Sequence, residues 1–375
     1  MPVEVLILGG GIAGCAAALE LAGRGAAVTL VDRDQPGTGA TGASAGILTP
    51  QYEASGPGHT FRLQLESQDL WPGFARRIEA RTDWRLGHRT DGLLVANRSE
   101  EEEDGARKAL AWQHELGLPG EILTPDEARR IHSGVSLKLR SYVWLPRGHQ
   151  VDSQRVAVAL ADAVRGAGGR VLSARPAADI LSHHGHVVGA CLEDGTHLDA
   201  DWVVVATGSW SPLLSGLPRP LPVRPVRGQI LRLLPEEPPP WPMLADHQGR
   251  YLVPRENGTL LLGSTMEEAG YDDGVTDAAR TYLTEIALDL FPSLERAQVV
   301  ERWAGLRPMT PDTQPVLGPE PSLEGLVYAT GFGRNGILLA PLAARVVAEL
   351  VLQGTSTVEW EPWGVERFGQ APASD

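Results

Sequence analysis

Three glycines near the N-terminus have the spacing that lets a backbone hold phosphate. Gly9, Gly11 and Gly14 stand as G-x-G-x-x-G. In that pattern the first glycine permits a tight turn, the second lets the chain approach a pyrophosphate, and the third lets helix and strand pack closely. The free N–H groups at the helix start, around Ile12 and Ala13, would then face the phosphates. Asp32 lies 18 residues beyond Gly14, where a carboxylate accepts ribose hydroxyls. The motif alone is weak, and a glycine turn serving only packing is the alternative. Arg33 follows the acid and either covers an adenine face or is a surface charge.

The neighbouring elements give the motif its setting. Residues 3–8 (VEVLIL) read as a strand buried on both faces. An Ala/Leu-rich helix follows to about Arg24 and is stopped by Gly25, and the run AVTLVD is a second strand. Together they make a βαβ unit. Residues 33–58 are too long for an ordinary connection and read as a functional loop. A helix is expected over about 60–80, bent at Pro72, and another over 154–167. Strands are expected at RVLS, VVGACLE and WVVVATG. The Pro-rich stretch 212–242 breaks the pattern and moves the chain into another domain. YLVP and TLLLGST read as antiparallel strands, 277–291 as a helix, and the C-terminal region returns to strand, glycines and helix. The expectation is an α/β protein with two interleaved domains. One comprises 1–83, 148–218 and 306–375, and the other, β-rich and α+β, comprises 84–147 and 219–305.

Composition narrows the partners. With 375 residues, two domains are expected. Thirty-three basic and 47 acidic side chains give a net charge of −14, which repels nucleic acid and anionic lipid. An anionic substrate must therefore be captured by local arginines. Cys15 and Cys191 have no metal-ligand spacing, so no metal is expected. No uninterrupted apolar run of about 18 residues suggests membrane insertion. The chain reads as soluble and cytoplasmic, and homo-oligomer formation stays open.

The glycine motif does not choose FAD over NAD. Its place at the start of the chain favours FAD. So does VVVATG (203–208), because in two-dinucleotide-fold flavoproteins such a strand end, here Thr207 and Gly208, lies close to FAD. Six segments extend this to a family: LILGGGIAGCAAALELA, TGASAGILTP, YLVPR, GSTM, WAGLRPMTPDTQPVLG and GRNGILLAP. On these segments the chain resembles the glycine oxidases of thiamine biosynthesis, within the wider D-amino acid oxidase and sarcosine oxidase group. The resemblance runs nearly end to end. It implies a Rossmann-like FAD-binding domain of the two-dinucleotide-fold type with a substrate domain.

The resemblance also implies roles. Ser44, Ala45, Gly46 and Ile47 match the loop along the flavin, and Ala177 matches a backbone contact to adenine. Gly331, Gly333, Arg334, Asn335, Gly336 and Ile337 match the segment that closes over the carbonyl end of the flavin. Arg307 matches the arginine that binds a substrate carboxylate, and Tyr251 a hydroxyl assisting it. Met266 matches an apolar wall beside the substrate, with plain core as its alternative, and the Arg334 backbone lies near the substrate amine. Phe332 stands where relatives often have His. Sarcosine oxidase relatives tether FAD through a cysteine near the Arg307 stretch; none occurs here, so FAD is expected to be non-covalent.

The implied reaction is FAD-dependent oxidative deamination of glycine, sarcosine or a small D-amino acid, with molecular oxygen reduced to peroxide. One alternative is a D-amino acid dehydrogenase passing electrons to a quinone, since GLRPMTPD is shared with those enzymes. A non-catalytic FAD-stabilised subunit is the other.

Overall fold

The computed structural model describes residues 1–237 and 242–369. Part of the Pro-rich stretch (238–241) and the last six residues of the expected FAD-binding segment lie outside them.

The apolar, β-branched runs do pair as buried strands. A six-stranded sheet runs in the order Val316–Pro319, Leu326–Thr330, Trp202–Val205, Glu4–Leu8, Ala27–Val31, Arg170–Leu172. All neighbours are parallel except the first pair. Helices Ile12–Gly23, His59–Glu79, Ser153–Gly166 and Gly336–Gln353 supply one packed core against it. A three-stranded antiparallel sheet, Ala177–His183, His186–Leu192 and His197–Asp199, packs into a second core. Strands flanked by packed layers on both sides must be apolar throughout, which is why they read as continuous runs. The helix over His59–Glu79 continues through Pro72. Helix Gly336–Gln353 is long and apolar enough to cross a bilayer, but 78% of it is buried inside the protein.

The second sheet has eight strands, ordered Gln298–Met309, Arg224–Leu234, Leu260–Gly263, Tyr251–Pro254, Met243–Asp246, Leu93–Asn97, Ser141–Leu145, Glu121–Leu123. The Pro-rich stretch expected to interrupt the pattern thus contains an eleven-residue strand, Arg224–Leu234. Proline removes a ladder donor and is confined to positions with a free side. Pro225 fits this rule. It lies opposite Pro308, while the neighbour on the other side pairs only with residues 230–233. Residue 306, the expected domain boundary, lies inside strand Gln298–Met309, so the chain leaves this sheet only after Met309. Helix Asp277–Leu290 covers one face of the sheet, and Ala45 of the long loop packs on the other.

A buried histidine gives this domain a pH dependence. His132 is 2% exposed, packs edge-on against Phe291, and has no partner for Nδ1 among the described residues. Burial pulls its pKa from 6.5 down to about 4. Between those values the unfolded chain binds a proton that the folded chain refuses. Stability is therefore lost as pH falls from 6.5 towards 4, by about 3 kcal/mol for this group. Urea unfolding at pH 7 and pH 4.5 should show the loss, and His132→Leu should reduce it, leaving the part due to His149, whose pKa burial also pulls down to about 4.

Candidate active site

The first glycine turn forms because only glycine can occupy it. Gly9 has φ +106°, and a Cβ there would lie 2.4 Å from the Ala206 carbonyl oxygen. A Cβ on Gly14 would lie 1.9 Å from the Gly9 carbonyl oxygen, so this glycine serves helix–strand packing. Asp32 accepts the Gly10 N–H (2.5 Å) and the Asp34 N–H (2.8 Å). Burial pushes its carboxyl above the usual range, opposed by those two hydrogen bonds. Thr41, not singled out in the sequence, accepts the Ile12 N–H (2.9 Å) and ties the long loop to the helix start.

These residues open onto a cavity of about 520 Å³, within the range of about 300–1,000 Å³ common for ligand clefts. It brings together Gly9, Gly11, Ile12, Ala13, Asp32, Arg33, Ser44, Ala177, Thr207 and Gly208. Gly331, Phe332, Gly333, Arg334, Gly336 and Ile337 close its other end. Gly14 does not line it, as its packing role requires. Arg33 lines it while its guanidinium sits 3.9 Å from the centroid of the Trp210 ring. Sequence reasoning missed Trp210 and the Gly37–Ala40 part of the wall.

The donor set fits FAD. Glycine backbone at a helix start suits a pyrophosphate, Asp32 a ribose, and the N-terminus of helix Gly336–Gln353 the electron-rich edge of a flavin. No cysteine, histidine or tyrosine lines the described cavity, so no side chain there offers the usual covalent tether.

A smaller cavity of about 90 Å³ adjoins it, sharing Ala40, Ser44, Gly333 and Arg334. Here Ala45, Gly46, Ile47 and Asn335 line the wall with Tyr251, Ser264, Arg307 and Glu53. Arg307 Nη1 donates to the Thr265 carbonyl (3.1 Å) and Nη2 to Ser264 Oγ (2.7 Å). The Arg307 guanidinium makes no ion pair among the described residues. Burial pulls its pKa down, opposed chiefly by neighbouring Tyr251, yet an arginine stays charged. Arg334, by contrast, is paired with Glu53 (2.7 Å). Burial works against its charge and the Glu53 carboxylate more than offsets this, holding its pKa high.

Glycines in the strands make the room. A Cβ on Gly228 would lie 2.0 Å from Arg307 Nη1, one on Gly263 would lie 2.6 Å from the Tyr251 hydroxyl, and one on Gly305 would lie 2.3 Å from Ala43 Cβ. Glycine inside a strand marks such close approaches, and this was the available signal for all three. Gly228→Ala should therefore expel the guanidinium, which can swing away, without unfolding the sheet. The expected result is a 10- to 100-fold loss in kcat/KM, the value of about 1.5–3 kcal/mol for a charged hydrogen bond. Flavin content should be unchanged in the same preparation.

Met266 does not form the expected wall. It is 52% exposed and lies outside the lining of both cavities. Strand Leu260–Gly263 has ended three residues earlier, so strand alternation no longer directs its side chain inward.

Fold and site define an FAD-binding oxidoreductase. Residues 4–350 match the family model described as DAO, FAD dependent oxidoreductase, and the chain belongs to that family. It is 32% identical to a glycine oxidase of Geobacillus kaustophilus over 97% of each chain. It is 34% identical to a glycine oxidase of Pseudomonas aeruginosa, over 94% of this chain and 95% of the relative. The crystal structure of glycine oxidase from Geobacillus kaustophilus superposes with TM-score 0.94, covering 97% of this chain and 98% of that one.

Proposed function

We propose that this protein oxidises glycine or another small amine-bearing acid, such as sarcosine or a small D-amino acid. The product imino acid takes up water to give the 2-oxo acid and the free amine, which is ammonia from glycine or a D-amino acid and methylamine from sarcosine. Molecular oxygen accepts the electrons and leaves as hydrogen peroxide. The observation that carries this reading is Arg307: a half-buried guanidinium that makes no ion pair among the described residues and lines a small cavity beside the FAD cavity.

Arg307 has the planar fork that fixes a carboxylate in position and orientation. Tyr251, buried beside it, adds a hydroxyl. Glu53 is held by Arg334 at the same wall, and the narrow walls disfavour long side chains. FAD, when bound, supplies the two-electron acceptor. Orientation by the clamp then does most of the work. No histidine lines the small cavity and its carboxylate, Glu53, is paired with Arg334, so in this reading the amine arrives already deprotonated. The rate should rise with pH as the free amine becomes abundant. A place in thiamine biosynthesis follows from the same likeness to glycine oxidases.

Anaerobic mixing with glycine, sarcosine and D-alanine tests the proposal. The flavin absorbance should bleach, and air should restore it with release of peroxide. Bleaching without reoxidation by air would favour the dehydrogenase reading. No bleaching by any amino acid would end the proposal of an amino acid oxidase.

A further inference from the structure

Arg255 carries a buried guanidinium that the substrate clamp does not use. It is 7% exposed. Nη2 donates to the Ala45 carbonyl (2.7 Å) and Nη1 to Gln150 Oε1 (2.9 Å). It makes no ion pair among the described residues. The nearby carboxylates are engaged elsewhere: Asp152 caps helix Ser153–Gly166, and Asp152 and Glu256 both pair with Arg155. Burial pulls its pKa from 12.5 to about 10, with Asp152 opposing, so it stays charged at neutral pH. Removing a cation from water without a counter-charge is costly, and neutral partners alone do not offset it fully.

The loop that Arg255 holds borders both cavities. Its four successive carbonyls are tied from behind. Ala43 accepts from Trp303 Nε1 (3.2 Å), Ser44 from Ser153 Oγ (2.5 Å), Ala45 from Arg255, and Gly46 from the Val151 N–H (2.9 Å). Arg255 is the single charged donor of the four. Ser44 borders both cavities, and Ala45 to Ile47 border the smaller one. The charge thus sits one hydrogen bond behind the backbone strip beside the flavin site.

We propose that Arg255 is a positioning residue for the cofactor, whose uncompensated charge favours the electron-rich reduced form of bound FAD and so raises its reduction potential. In a buried setting such a charge is screened far less than at the surface. Two-electron reduction adds negative charge to the flavin, and a fixed nearby cation stabilises it. The inference rests on FAD as cofactor and not on the identity of the substrate.

The test is the midpoint potential of the FAD-loaded protein, measured by equilibration with a reference dye and without any amino acid. Gln150→Glu places a carboxylate against the guanidinium while keeping the brace to Ala45. It should lower the two-electron equilibrium constant about tenfold, a shift of about 30 mV. Arg255→Met should lower it at least as far, whereas Arg255→Lys should stay within about threefold of the parent, about half that shift. A Gln150→Glu protein with the parent's potential would overturn the proposal, even if Arg255→Met fails to fold. So would an Arg255→Lys protein that falls as far as Gln150→Glu, since the brace and not the charge would then be responsible. Failure of glycine to bleach the flavin would leave these potentials unaffected, so the two proposals fail separately.

Discussion

Arg307→Met is expected to lower kcat/KM for glycine by about 10²–10³-fold while FAD content stays at the parent's level. The size follows from losing two charge-assisted hydrogen bonds to a carboxylate, about 3–4 kcal/mol together, at about 1.4 kcal/mol per tenfold. The loss should fall mainly on substrate binding, because the proposed clamp would hold the carboxylate before and during the reaction. Retention of FAD follows from the walls: Leu306 and Pro308 line the larger cavity and Arg307 does not. Met fills much of the space beside Gly228, so the change tests the charge more than the packing. Steady-state peroxide formation and the flavin-to-protein absorbance ratio together check the result. Loss of flavin from this variant would mean that Arg307 supports the cofactor and not the substrate.

The second large effect is expected at the cofactor. Gly9→Ala should yield protein with little or no bound FAD and a lower melting temperature. The residue has φ +106°, and the added Cβ would meet the Ala206 carbonyl carbon at 2.6 Å as well as its oxygen at 2.4 Å. Both are backbone atoms of a buried strand end, so neither can swing aside. Positive φ alone costs about 1–2 kcal/mol for a residue with a Cβ, and relieving the clash must move the strand end that borders the cofactor. Gly23→Ala is the control in the adjoining helix. Its Cβ meets nothing within 4 Å, so FAD should be kept and stability should rise by up to about 1 kcal/mol. Flavin stoichiometry after gel filtration, with a melting curve for each variant, separates the two. Full FAD binding by Gly9→Ala would show that the turn tolerates a side chain and that the close approach is not required.

The glycine turn and the acid proposed to hold phosphate and ribose were legible in the sequence because they are local. One strand, one turn and one helix place Gly9, Gly11 and Gly14, and the next strand end places Asp32, all within 32 consecutive residues. Local backbone preference and apolar patterning suffice for such a unit. The small cavity is of another kind. Glu53, Gly228, Tyr251, Ser264, Arg307 and Arg334 meet only because two sheets and a long loop converge. Family likeness could nominate Arg307, Tyr251 and Arg334. It did not show that Arg334 spends its charge on Glu53 while Arg307 makes no ion pair among the described residues, since pairing depends on distance in space.

The errors have the same origin. The Pro-rich stretch 212–242 breaks the pattern in the sequence, and only the sheet order shows that it holds the strand Arg224–Leu234, in which Pro225 has a free side. The family resemblance implies an apolar wall at Met266, but the strand that could aim it stops at Gly263. By itself, then, the sequence determined that this chain holds a dinucleotide, and through its contiguous motifs that the dinucleotide is FAD. The tertiary structure decided that Arg307 makes no ion pair among the described residues, which glycines make space for it, and that Arg255, equally unpaired among them, stands behind the same loop. Backbone turns are set by neighbours along the chain, whereas the state of a buried charge is set by whatever the fold brings within a few ångströms of it.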